Sequence, residues 1–199
     1  MSKQTMKLRH RLLIDSLRKA YSAERAAAFA YIGHAGSLSD PAEKSAVQEI
    51  ERDEWEHRGN LLAILRQYDI PVSRYYEWKY YLIGKVIGCS CHVIGRFMPY
   101  FFAGKLESGN VCEYFQMMKY FHSLEISDHD KILYEMGVKE KEHEVYFLEM
   151  IREEKWLPLF EKMFSWGIDS SLNNVDLEDD VSLAESDRYC ENREESPRG

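Results

Sequence analysis

Two copies of the motif Glu-x-x-His constrain this chain of 199 residues more than any other feature. Glu54 and His57 form the first copy, and Glu140 and His143 form the second. Residues three positions apart lie one turn apart on the same face of an α-helix, so each pair can present a carboxylate and an imidazole together. A single copy of so short a motif is weak evidence, and its meaning depends on what surrounds it.

The surroundings favour helices throughout. Apolar residues recur with a helical period, and no segment alternates convincingly with the period of two that a half-buried strand shows. Ser37 to Pro41 combines a helix stop, an Asp cap and a proline suited to a first helical position. The pattern predicts four long helices, over residues 6–36, 41–68, 110–126 and 130–154, and a short amphipathic stretch from Pro158.

The spacing of the carboxylates makes the two motifs specific. Glu24 precedes Glu54 by 30 residues, with the turn near Ser39 half-way between them. Glu113 precedes Glu140 by 27 residues, again with a turn, Ser127-Asp128, at the midpoint. Antiparallel hairpins would therefore place one Glu level with one Glu-x-x-His in each half. A four-helix bundle with this ligand set is the arrangement of di-iron and di-manganese carboxylate proteins.

Burial patterns support the same six residues as metal ligands. Glu24 lies on a face of Leu, Ala and Tyr, where a lone carboxylate would be costly unless it were paired or bound to metal. Glu107 and Glu125 share the stretch of Glu113, but either would break the symmetry about the turn, so Glu113 is preferred. Four other glutamates near the two motifs are expected to face solvent. They are Glu51, Glu56, Glu142 and Glu144.

Charge and cysteine content limit the class of protein. The formal net charge is −8, of which residues 168–199 carry −7, so the body is nearly neutral and nucleic acid is not an expected partner. The sequence predicts a bundle domain over 1–167 and a disordered acidic tail over 168–199. Four cysteines without a CxxC pair form no disulfide framework, which is typical of a reducing compartment and a cytoplasmic location.

Residues 73–105 form an apolar, aromatic segment between the second and third helices. Gly84, Gly88, Cys91 and Gly95 make a stripe of small residues, which permits close approach of another helix in protein or membrane. Tyrosine, tryptophan and cationic residues flank it, but its longest uncharged stretch is too short to span a bilayer. Two interpretations stay open: peripheral contact with the inner face of a membrane, or a helical insertion packed on the bundle.

The ordered set Glu24, Glu54-x-x-His57, Glu113 and Glu140-x-x-His143 resembles the ferritin-like di-iron carboxylate superfamily. Over residues 12–154 the chain is similar to the demethoxyubiquinone hydroxylase family. The shared features are the first-half spacing, the glycine-rich segment, and Tyr120 two turns after the third-helix Glu. The shorter interval from Glu113 to Glu140, and Lys119 where the family tends to carry His, depart from the family pattern.

The resemblance implies an all-α fold and a di-iron monooxygenase that uses O2 and electrons from an external donor. Its cofactor would be two iron ions, with manganese as the other metal such ligands accept, and its substrate a small hydrophobic quinone precursor. Tyr120 would be a catalytic residue that relays an electron or proton. A homodimer stays open. The rivals are a ferroxidase or peroxide-scavenging protein with the same site, a bundle that binds no metal, and, less favoured by the near-neutral body, hydroxylation of an RNA base.

Overall fold

The computed structural model describes residues 8–168 and 183–194, and these residues contain helices and no strand, which confirms the all-α class. They divide into two compact units, one ending at Arg96 and the other beginning at Phe97. The predicted single bundle domain over 1–167 stays a prediction. The helices are α1 (Arg11–Ser37), α2 (Pro41–Gln67), α3 (Arg74–Ser90), α4 (Phe97–His122), α5 (Asp130–Glu149), α6 (Leu157–Phe164) and α7 (Leu183–Glu194).

The first unit is built on the hairpin of α1 and α2. Its connection is short because α2 starts at once with a strong N-terminal cap: Asp40 accepts hydrogen bonds from the backbone N–H groups of Ala42 at 2.8 Å and Glu43 at 3.0 Å. Pro41 follows at the first helical position, where its missing N–H costs nothing. Both features match the sequence prediction. Two long helices joined so tightly must run antiparallel, side by side.

Helix α3 packs on the other side of α1 through the predicted stripe of small residues. A Cβ on Gly84 would lie 2.6 Å from the carbonyl oxygen of Ala26, and one on Gly88 would lie 2.6 Å from that of Phe29. The two backbones are therefore in direct contact, which only glycine permits. Gly84 and Gly88 therefore face protein, whereas Gly95 is exposed. Within the segment 73–105 the expected apolar helix is present as α3, packed on α1.

The second unit is built on the hairpin of α4 and α5. Helix α4 begins at Phe97 rather than near Asn110, and its proline, Pro99, lies in the first turn, where proline is tolerated. Near the middle of the hairpin the rings of Phe115 and Tyr134 stack with centroids 5.5 Å apart, and Phe115 fills the space beside Gly137. Helix α6 covers the start of α4 through aromatic contacts such as Phe101 with Phe160.

The acidic tail differs from its prediction in part. Residues 169–182 and 195–199 lie outside the described residues, but Leu183–Glu194 is helical and packs on α4. Tyr189 is fully buried there, and a disulfide joins Cys190 to Cys112 on α4. This bond departs from the expectation that the four cysteines form no disulfide framework, because Cys112 and Cys190 are brought together only by the packing of this helix on α4. A helix that carries one buried aromatic ring and a covalent tie can be ordered despite an acidic composition, which explains why the expectation of disorder was wrong for this stretch.

Candidate metal centre

The first unit brings together the three ligands that the sequence predicts for it. Glu24 on α1 and the pair Glu54 and His57 on α2 each offer one ligand atom, and these atoms lie within 4.8 Å of one another. All three side chains are at most 5% exposed. We call them the first triad. Two ionised carboxylates buried this closely repel each other and lose their hydration, so a bound cation or added protons must offset the cost.

The second unit contains an equivalent group, the second triad. Glu140 and His143 on α5 and Glu107 on α4 offer ligand atoms within 4.8 Å of one another. They are also at most 4% exposed. Within the group, His143 Nδ1 lies 3.7 Å from a carboxylate oxygen of Glu140, and the Asn110 amide donates a hydrogen bond of 2.8 Å to Glu107. Asn110 thereby fixes the orientation of the Glu107 carboxylate.

The structure places Glu113, the predicted third-helix ligand, outside this group and half-buried. The correction to Glu107 follows from the helix face. Glu107 is in register with the fully buried Val111, Tyr114 and Met118, at spacings of four, seven and eleven residues, which is one continuous face of α4. Six residues separate Glu107 from Glu113, which turns the side chain by about 120° away from that face.

The symmetry about the turn favours Glu113, whereas the buried face of the helix favours Glu107. Helix α4 extends back to Phe97, so Glu107 lies well inside it rather than before the predicted start near Asn110. The apolar spacing from Glu107 to Met118 was present in the sequence and could have identified the ligand.

A partly buried cation, Arg58, occupies the position after the triad histidine on α2. Arg58 follows His57 and places its guanidinium carbon 3.8 Å from the ring centroid of Tyr21. It also donates to both carboxylate oxygens of Glu77 on α3, at 3.1 and 2.8 Å. Burial by itself would raise the pKa of Glu77, but hydrogen bonds from Arg58 and Ser22 and the charges of Arg58 and Arg25 lower it. Glu77 is therefore ionised and holds Arg58 in place.

A buried carboxylate occupies the corresponding position in the second unit. Glu144 follows His143, is fully buried, and accepts a hydrogen bond of 2.8 Å from the Trp166 indole. Lys141 lies 3.1 Å from its other oxygen. The expectation that Glu144 faces solvent is therefore wrong. The sequence signal that could have corrected it is the spacing of four residues from Glu140, which keeps Glu144 on the same face of α5.

Tyr120, the predicted catalytic residue, is half-buried near the end of α4, and its role stays a prediction. It lies thirteen residues beyond Glu107, about 20 Å along the helix axis at 1.5 Å per residue. That separation is too long for direct contact with the second triad. Tyr31, by contrast, is buried two turns after Glu24 on α1 and on the same face.

Helix α3 presents an apolar face to its surroundings on the side away from α1. Tyr75, Trp78, Leu82 and Val86 follow one another at spacings of three and four residues, and each is 47–69% exposed. The exposed charged residues of segment 71–96 are all cations: Arg74, Lys79, Lys85 and Arg96. Among the described helices, none combines the length and the apolar character needed to cross a bilayer.

The chain matches no protein-family model, and no curated protein and no solved structure matches it.

Proposed function

We propose that this protein is a di-iron oxidoreductase, a hydroxylase that uses O2 and electrons from an external donor. Each triad would supply ligands to one of two metal ions, in the ferritin-like four-helix bundle that the sequence predicts. The observation that carries the proposal is the repetition: two separate hairpins each bury two carboxylates and one histidine with ligand atoms within 4.8 Å.

The ligand set fits such metals. Metal–oxygen and metal–nitrogen bonds of about 2.0–2.2 Å place two ligands of one ion at most about 4.4 Å apart, close to the spacing within each triad. Carboxylate and imidazole ligands suit iron and manganese, and the absence of thiolate from both triads disfavours softer metals. Two carboxylates in each triad also balance the charge of a divalent ion, which removes the repulsion between them.

A bound pair of iron ions would supply the redox chemistry that activates O2. The chain's own residues would hold the ions and exclude water. Glu54 and His57 approach from consecutive turns of α2, and Glu140 and His143 do so from α5, so each helix fixes the angle between a carboxylate and an imidazole. Asn110 orients Glu107, and Tyr31, two turns after Glu24 on the same face of α1, would relay a proton or electron.

The substrate class in this proposal is a small hydrophobic molecule taken from a membrane surface, and the quinone precursor comes from the resemblance alone. The exposed face of α3 supports contact with lipid. Aromatic rings and cations around apolar side chains are typical of helices that lie in the bilayer interface. The occupant we infer is an anionic bilayer, because segment 71–96 exposes only cations on a chain whose net charge is −8.

Cosedimentation with lipid vesicles tests the inferred contact. The protein should bind vesicles containing phosphatidylserine and bind pure phosphatidylcholine vesicles far less. Trp78→Ala and Lys79→Glu should each weaken binding about fivefold or more, since each removes roughly 1 kcal/mol of apolar or electrostatic attraction. Trp156→Ala is the matched control, because Trp156 is similarly exposed but lies just before α6. Equal losses in all three variants would exclude α3 as the lipid surface.

Metal content per chain is the decisive test of the site. Protein expressed with iron and purified without chelator should hold about two irons per chain, and His57→Ala and Glu140→Ala should each lose iron. Glu56→Ala is the control, since Glu56 is exposed one position before His57. A chain that takes up no stoichiometric metal after anaerobic Fe(II) loading would contradict the proposal.

Turnover then separates the hydroxylase from its rival. A ferroxidase or peroxide scavenger would oxidise Fe(II) or consume peroxide at full rate with no organic molecule present. A hydroxylase should couple O2 consumption to a quinone precursor when a reductant is supplied. Fast Fe(II) oxidation without such coupling would favour the rival function.

A further inference from the structure

Helix α7 is attached to the second unit by few non-covalent contacts. The Tyr189 ring is fully buried and lies edge-on to Phe115, with centroids 6.2 Å apart. The Lys141 ammonium lies 5.5 Å from the Tyr189 ring centroid. Lys119 and Asp187 form an ion pair of 2.6 Å, but both side chains are more than a third exposed. Ser186 is fully buried as well, so among the described side chains of α7 two are fully buried and the ion pair is exposed.

A helix of this length depends on its contacts with the rest of the unit to stay folded and in place. Isolated helices of twelve residues are only marginally stable in water, and exposed ion pairs contribute little. The disulfide between Cys112 and Cys190 is the strongest tie, because it joins residues 78 positions apart and keeps α7 close to α4 even when the other contacts open. The position of α7 thus depends on the oxidation state of one cysteine pair.

We propose that the Cys112–Cys190 bond is a redox-active clasp, a thiol–disulfide exchange site that releases α7 when a dithiol reductant opens it. In the first step a reductant thiolate attacks one sulfur, forms a mixed disulfide, and the other cysteine leaves as a thiolate. The second reductant thiol then displaces the first cysteine. The chain gains two electrons and two protons, and the dithiol becomes a disulfide.

The surroundings of the four cysteines suit this role. Cys112 and Cys190 are both half-buried, so a small dithiol or a reductant protein can reach them. Cys91 is buried, and this burial raises the pKa of its thiol, which makes it a poor nucleophile for reshuffling the bond. Cys89 is exposed and free, and it serves as the matched control.

Release of α7 would expose an aromatic contact between α4 and α5. Tyr189 covers Phe115, whose ring stacks on Tyr134 across the hairpin. The same two helices carry Glu107, Glu140 and His143, so opening the clasp would loosen the second triad. This coupling to metal binding rests on the proposed function, whereas the clasp itself does not.

Trypsin cleavage after Arg188 measures the release of α7, because Arg188 lies in α7 and a helix held in place resists proteolysis. Dithiothreitol should increase the cleavage rate about tenfold or more, as the open fraction of α7 rises. Cys190→Ser should be cleaved quickly with or without reductant. Cys89→Ser should keep the dependence on reductant. All samples are fully reduced before mass analysis, so that cut fragments separate.

A thiol count under denaturing conditions completes the test. The oxidised chain should show two free thiols and the reduced chain four. Four free thiols after mild oxidation, or equal protection of Arg188 in both states, would overturn the clasp. Iron content in the two redox states tests the coupling separately. If the chain binds no iron, the proposed function fails while the protease result still decides the clasp.

Discussion

In the first hairpin the residue after the triad histidine is Arg58, whereas in the second hairpin it is Glu144. Arg58 is held by Glu77 of α3 and by the face of Tyr21, so it is a fixed positive charge at the position after the triad histidine. Glu144 is held by Trp166 and Lys141 and is the second buried carboxylate of α5, after Glu140. The positions that follow the two triad histidines therefore carry opposite charges.

The ligand types of the two hairpins are the same, so they do not determine the charge of the residue that follows the histidine. The Glu-x-x-His motif fixes which atoms meet on one helix face. The charge beside that motif depends on which neighbouring element can compensate it: α3 supplies a carboxylate in one unit, and the segment after α6 supplies an indole in the other. Excess negative charge in the second unit should favour cation binding there.

The largest effect expected is on the second triad. Glu107→Ala should remove one of the two metal ions, because the second triad then keeps only two ligands, whereas Glu113→Ala should retain both. Elemental analysis of the two variants side by side measures the difference. If Glu113→Ala loses metal and Glu107→Ala does not, Glu113 rather than Glu107 is the ligand that α4 supplies.

Glycine substitution compares how rigidly the two units pack. A Cβ on Gly33 would lie 2.2 Å from a backbone oxygen of Gly88, whereas one on Gly137 would meet only the Phe115 ring, at 2.5 Å. Backbone cannot move aside as a ring can, so Gly33→Ala should cost about 3 kcal/mol and Gly137→Ala about 1–2 kcal/mol. Chemical denaturation gives both values.

Gly59→Ala provides the control for these substitutions. Nothing lies within 4 Å of a Cβ at Gly59, so the change should stabilise the protein by about 0.5–1 kcal/mol through helix propensity. Equal costs at Gly33 and Gly137 would show that the two units tolerate added volume to the same degree.

Acid should weaken the first unit through His34. Burial lowers the pKa of His34 from 6.5 to about 4, with Arg96 adding to the shift and Glu43 opposing it. Because the folded pKa lies below the unfolded one, the unfolded chain takes up the proton first, and stability falls as pH drops from about 6.5 to about 4. The free energy of unfolding should fall by about 2–3 kcal/mol over this range, and this fall should disappear in His34→Gln. Chemical denaturation at several pH values measures both.

His129 in the second unit sharpens the comparison. Burial also lowers its pKa, but Asp128 and Asp130 on either side oppose the shift. His129→Gln should therefore change the acid dependence less than His34→Gln does. The reverse order would indicate that the aspartates do not hold the charge of His129 as the structure implies.

The last comparison concerns the contacts of Arg58 and Glu144, the residues that follow the two triad histidines. Trp166→Phe removes the indole donor to fully buried Glu144 and should cost about 1–3 kcal/mol. Arg58→Met should cost less, about 1 kcal/mol, because Glu77 is partly exposed and water replaces the lost hydrogen bonds. Trp156→Phe, at an exposed position, should change the free energy of unfolding little. A larger loss of unfolding free energy in Arg58→Met than in Trp166→Phe would show that the contacts of Arg58 contribute more to stability than the hydrogen bond to Glu144 does.

Sequence periodicity and caps were enough to predict the helical class, the α1–α2 hairpin and the residues of the first triad. The cap at Asp40 and the midpoint turn set the register of that hairpin within a few residues. The second hairpin is harder to predict from the sequence, because the apolar stretch before Asn110 carries no capping signal that marks the start of α4 at Phe97.

What the sequence by itself determined is local: which segments are helical, where the first hairpin turns, and which carboxylate lies one turn from which histidine. Those features depend on residues within a few positions of one another. Only the tertiary structure decided that Glu107 joins Glu140 and His143, that Glu144 is buried against Trp166, and that Cys190 reaches Cys112. The reason is physical: one face of a helix becomes its core only when another segment packs on it, and that contact is not encoded in either segment alone.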